Sequence, residues 1–157
     1  MLFRSGIPAT ALPTIVDSVG ACADASALEG APPIVAVLGD QQASLAGQAC
    51  VRPGDAKITF GTGGMLDLNV GAALPTGGFH GTFPIAAWRI EDEITWGIES
   101  AMLAAGTNVQ WLRDGLGLVA TSAETHEVAS ACTDTGGVVY VPALMGLGTP
   151  QIGRAHV

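Results

Sequence analysis

Residues 33–48, PIVAVLGDQQASLAGQ, admit few folds. A proline-bounded, β-branched apolar run of the kind found in strands covered on both faces stops abruptly at Asp40. The residues that follow contain neither proline nor β-branched side chains, and Asp40 stands where a helix N-cap belongs. The natural parse is a strand, a tight turn and a helix. In open α/β sheets ligands gather beyond the carboxyl ends of strands, which puts Asp40 at such an end. Two roles are open to it. It is a general base, contributing about 10²- to 10⁴-fold in rate, or a helix cap contributing about 1 kcal/mol. Gln41 and Gln42 add amides able to hydrogen-bond a polyol, or simply occupy an exposed helix turn.

The rest of the chain gives a mixed α and β pattern without repeats. The opening SGIPATALPTIVDSVGACADAS, with Pro8 and Pro13, reads as loops around at most one short helix. KITFGTGGMLDLNVG reads as a hairpin about a glycine-rich turn, and TFPIAAWRIEDEITWGIES as a second hairpin about EDE. Met102, Ala105, Val109, Leu112 and Leu116 then recur at helical spacing, with Gly115 or Gly117 available to end the helix. ETHEVASAC reads as another helix, and GGVVYVPALMGLG as a strand and loop.

The FGTGG turn carries a chemical possibility of its own. Gly61, Gly63 and Gly64 permit positive φ and bring successive N–H groups within reach of an anion, while Thr62 adds a hydroxyl. A plain tight hairpin turn fits the same residues. Gly106 falls inside the helical pattern, where glycine costs about 1 kcal/mol relative to alanine, so it has a packing or a ligand reason. Gln110 follows one turn later on the same side. Arg113 and Asp114 read as a solvated pair near a helix end. Trp88, Trp96 and Trp111 read as core, and His80 and His126 as loop or surface residues without metal-ligand spacing.

Charged residues are only 13% of the 157 and the formal charge is −8. The six basic residues form no stripe, which excludes nucleic acid and anionic membrane surfaces as partners. Such sparse charge, about half the usual share, leaves a small chain short of polar cover and predicts a face packed against something outside it. Cys22, Cys50 and Cys132 lack metal-ligand spacing and read as reduced, buried thiols of a soluble cytoplasmic protein. No run approaches the length of a membrane span. The closing residues 152–157 fit no periodic pattern and are expected to be a non-native tail.

In order, GIPATALPTIVDS, GDQQASLAGQ, KITFGTGG, ESAMLAAGTNVQWLRDGL and GGVVYVPALMGLGTP resemble the FGGY family of carbohydrate kinases, its glycerol-phosphorylating branch most closely. The resemblance implies a partial actin-like ATPase fold of ribonuclease H-like topology. Residues 1–50 would close an N-terminal domain and residues 51–151 would begin a C-terminal one. It implies that ATP with Mg²⁺ phosphorylates a small polyol or sugar; glycerol leads, with xylulose, ribulose or erythritol as alternatives and a catalytically silent nucleotide-binding domain as another. A homo-oligomer of the full-length enzyme is compatible with it. Asp40 matches the catalytic base, which also touches substrate, and Gln41 a second polyol contact. Met65 stands where an aromatic residue usually packs near the polyol carbons, and Phe60 where tyrosine is common. Gly61, Thr62 and Gly63 match the phosphate-binding turn, and Gly106 and Gln110 match nucleotide contacts. No metal ligand is carried over, and the segment alone is expected to be inactive.

Overall fold

The computed structural model describes residues 6–77 and 80–149; the expected tail lies outside them. After a single 3₁₀ turn at Ala9–Ala11, β1 (Val19–Asp24) and β2 (Pro33–Ala36) form an antiparallel pair. β1 was not foreseen, because VGACAD lacks the β-branched density that marks a strand and is fixed by pairing with β2 instead. Nor is β2 covered on both faces, since Val35 and Val37 are each more than half exposed.

The chain then turns through Gly39 into α1 (Asp40–Gly47), and enters a four-stranded antiparallel sheet. Its strands are β3 (Ala56–Phe60), β4 (Gly64–Gly71), β5 (Phe83–Ile90) and β6 (Glu93–Met102), in the order β3-β4-β6-β5. Both expected hairpins are present: Phe60 pairs with Gly64 across the GTG connection, and Ile90 with Glu93 across Glu91 and Asp92. That second turn holds two non-glycine residues at positive φ, 53° and 66°, the geometry that matches the twist of the flanking strands.

α1 lies on this sheet, and Leu45 is fully buried with Cys50 and Ala87, with Trp88 packed against them. Of the three cysteines only Cys50 is buried; Cys22 and Cys132 are exposed, correcting the expectation for those two. Ser18 ties the β1–β2 pair to β5. Its N–H donates to the Arg89 carbonyl at 2.8 Å and its Oγ accepts from Arg89 N–H at 3.1 Å.

The helix expected to run through Met102 begins four residues later. Met102 belongs to β6, paired with Gly64, and α2 covers only Gly106–Gln110 before a π-helical turn at Trp111–Gly115. Gly117 follows at positive φ. Trp111 is half-buried and stacks on Tyr140 with ring centroids 6.0 Å apart, a surface-side contact rather than core. α3 (Glu124–Ser130) is the helix read in ETHEVAS, and His126 lies exposed on it. GGVVYV forms no strand; Leu144 and Gly146 make only an isolated bridge.

Candidate active site

Asp40 is the first residue of α1, one place later than an N-cap; Gly39 holds the cap position, and no side chain caps the helix. The exposed Asp40 carboxylate instead accepts the adjacent Gln41 N–H at 2.9 Å. Its negative charge sits in the first helical turn, where the helix dipole favours it. That bond satisfies the second N–H of the helix, a local capping contact, and the carboxylate remains exposed four residues beyond the end of β2, so both roles read from the sequence stay open to it.

Gln41, the next residue, reaches the sheet. Its Oε1 accepts a hydrogen bond from Lys57 Nζ, and the same ammonium donates to Thr59 Oγ1 at 2.8 Å and pairs with Asp67 Oδ2 at 2.5 Å. The Lys57 and Asp67 side chains are completely buried. Lys57, Asp67 and Glu99 are directly opposite one another across β3, β4 and β6, so their side chains share one face. Thr59 and Met65, also directly paired, are the next row on that face. Burial and the neighbouring Asp67 carboxylate push the Glu99 carboxyl above its ordinary range, aided by a hydrogen bond between the two and by the Asp40 charge, with Lys57 opposing. Among the described residues no neutral donor serves the Asp67 oxygens. The Lys57 ammonium is therefore the charge that compensates that buried carboxylate. None of this row except Met65 was singled out from sequence; a lysine and an aspartate at inward positions of KITF and MLDL were the available signal.

At the far end of β3 the GTG turn docks on the start of α2. Ala105 N–H and Thr107 N–H both donate to the Thr62 carbonyl, at 2.9 and 3.2 Å, and Gly106 N–H donates to the Gly61 carbonyl at 2.9 Å. Thr107 Oγ1 adds a further bond to the Thr62 carbonyl at 2.9 Å. The glycines serve close approach rather than unusual dihedrals. Gly61, Gly63 and Gly64 all avoid positive φ, contrary to expectation. A Cβ on Gly63 would lie 2.7 Å from the Met102 carbonyl oxygen, and one on Gly106 would lie 2.6 Å from the Gly61 oxygen. Gly106 is thus at a helix start, not inside a helix, and its packing partner is the turn itself.

Gly61, Thr62, Gly106 and Gln110 line one open cavity of about 530 Å³, with Arg113, Ser122 and Thr125 on its other side. Four of the five expected nucleotide residues therefore meet at one place; Gly63 sits in the same turn but behind the wall, against Met102. Arg113, read as a solvated residue, is part of the cavity wall. It pairs with Asp114 through Nε at 2.6 Å and Nη2 at 2.8 Å, and its Nη1 donates to Ser122 Oγ at 3.3 Å. The hydrogen bond from Arg113 holds the Asp114 carboxyl below the usual carboxylate range against desolvation, and the Arg113 charge and a hydrogen bond from Gln110 add lesser contributions in the same direction. The signal for Arg113 was its position one helical turn beyond Gln110. Among the described residues no group of three or more His, Cys, Asp or Glu is placed to hold a metal ion.

No family model matches the sequence. The fold is that of sugar kinases with the actin-like ATPase architecture. A xylulose kinase from Brucella ovis aligns with 99% of this chain and 32% of its own, with a TM-score of 0.80 at 24% identity. Sequence narrows the class. A glycerol kinase from Alkalilimnicola ehrlichii is 45% identical over 96% of this chain, and one from Geobacter sp. is 45% identical over 95%. The Plasmodium falciparum glycerol kinase solved with ADP is 31% identical over 80% of this chain and 25% of its own, with a TM-score of 0.72. Over nearly its whole length the chain is similar to glycerol kinases, of the FGGY family of carbohydrate kinases. It spans about a third of the length of the curated relatives it matches, 31% and 30% for those two bacterial proteins.

Proposed function

We infer that this chain is the segment of an ATP-dependent polyol kinase that carries the base and part of the nucleotide site, and that the complete enzyme converts glycerol to glycerol 3-phosphate. The observation that carries the reading is the single cavity that gathers Gly61, Thr62, Gly106 and Gln110 at the end of β3. The other end of the same strand holds Lys57, which grips Gln41 beside Asp40. Lys57 and Gly61 are four residue steps apart along extended chain, about 13 Å, a span over which a polyol and a triphosphate can lie end to end.

On this reading Asp40 takes the proton of a substrate hydroxyl as its oxygen bonds to the γ-phosphorus, and the bond from phosphorus to the ADP oxygen breaks. Gln41 and Met65 hold the polyol; Met65 supplies an apolar wall on the face that Lys57 and Thr59 share. The glycine wall fits a nucleotide because Gly61 and Gly106 line the cavity without side chains while Thr62 and Arg113 offer polar groups. Mg²⁺ is expected with the ATP, and the part proposed for this chain's residues is positioning and proton removal. If the expected boundary near residue 50 holds, Asp40 and the cavity belong to two domains, and closure would bring them together. A cytoplasmic location agrees with this chemistry, and no helix of the described residues is long and apolar enough to cross a membrane.

The test is to give the full-length protein ATP with glycerol, xylulose, ribulose or erythritol and to measure phosphorylated product. Glycerol should be the best acceptor. Preference for another member of the panel would replace glycerol as substrate, and no transfer to any of them would end the kinase reading.

A further inference from the structure

Lys57 has three N–H donors, and each meets an acceptor: Gln41 Oε1 on α1, Thr59 Oγ1 on its own strand, and Asp67 Oδ2 on the next. A buried lysine needs a partner for its charge, and Asp67, also without exposure, supplies it. Glu99 completes the row on the third strand, directly opposite Asp67. The ammonium is thereby fixed on the sheet before α1 is considered, and its remaining donor points at the helix. Taking Gln41 Oε1 has a directional consequence. A glutamine amide has one accepting and one donating end, and a cation can bind only the accepting one.

We propose that Lys57 is a positioning residue that fixes the Gln41 amide with its NH₂ group turned toward the substrate, so that Gln41 donates to a polyol hydroxyl oxygen and never accepts from it. This rests on the function inferred above. Asp40 beside it is a pure acceptor when ionised. The two neighbouring side chains therefore read a vicinal pair of hydroxyls in opposite senses: one hydroxyl gives its proton to Asp40, and the next accepts from Gln41. An acceptor lacking that second oxygen loses the Gln41 bond.

The experiment uses the full-length enzyme and avoids leaving a lone buried charge. In the double variant Lys57→Met/Asp67→Leu both ions are replaced together, and the KM for glycerol should rise about tenfold, the loss of one well-oriented hydrogen bond, with the KM for ATP unchanged. Adding Gln41→Ala to that variant should raise the glycerol KM no further than Gln41→Ala alone. Thr59→Val removes one anchor and no charge, and should give the same one-sided rise at smaller size. A purely structural role would move both KM values or only the melting temperature. Unchanged glycerol KM in the folded double variant or, should that variant not fold, in Thr59→Val overturns the proposal, as does full additivity with Gln41→Ala. Failure of the unsubstituted enzyme to phosphorylate any polyol is a separate result, which removes the functional reading itself.

Discussion

Two glycines at the nucleotide end work by what they omit. Gly106→Ala would bring a methyl carbon to 2.6 Å from the Gly61 oxygen, where backbone must move. In the full-length enzyme this should cost about 1–3 kcal/mol, read as a lower melting temperature, and should weaken ADP binding measured by calorimetry; unchanged ADP affinity would separate the turn from the nucleotide. On the proposed reading Met65 walls the polyol, and Met65→Ala should then raise the KM for glycerol about 5- to 30-fold, about 1–2 kcal/mol of lost apolar contact, with the KM for ATP unmoved. At this scale the sequence carried the identities and not always the reasons. Asp40, Gln41 and the glycines were visible as residue types at turns. Lys57 was not, and Arg113 was read only as half of a solvated pair, because a buried lysine and a cavity arginine show their roles only when the partners Asp67 and Ser122 are seen beside them.

Elements were legible where local pattern and pairing agreed. The two hairpins satisfy both, and each formed as read. The stretch 102–116 shows how the agreement fails: its helical spacing is real, yet Met102 is held in β6 by its pairing with Gly64, so the helix starts at Gly106. VVYV has strand propensity but pairs with no strand among the described residues, and propensity without a ladder makes no strand. The three-strand row has a pH signature. Glu99, faced by Asp67, Lys57 and Asp40, has a raised pKa, so the folded state holds its proton more tightly than the unfolded chain. Its stabilising protonation is complete below the unfolded value of 4.5 and is lost as pH rises through the folded value. Stability should therefore fall with pH over that window, and Glu99→Gln should flatten the fall and raise the melting temperature at neutral pH. A denaturation series across acidic to neutral pH measures this; the same slope in both proteins would remove Glu99 as its source.

For the molecule as a whole, sparse charge predicted an uncovered apolar face, and the described residues leave several large apolar side chains exposed. Ile15, Phe60, Val138 and Val139 are each more than 70% exposed. Such residues cover a surface that the matched relatives, about three times as long, have chain to bury. The 157-residue chain alone should accordingly show no ATP-dependent phosphorylation of glycerol, and turnover by it would mean that the base and the phosphate turn suffice. The most direct test of the central claim is Asp40→Asn in the full-length enzyme, with turnover and ADP affinity measured side by side. Turnover of glycerol should drop about 10²- to 10⁴-fold while ADP binds as before; undiminished turnover would show that the acid at the start of α1 is not the base.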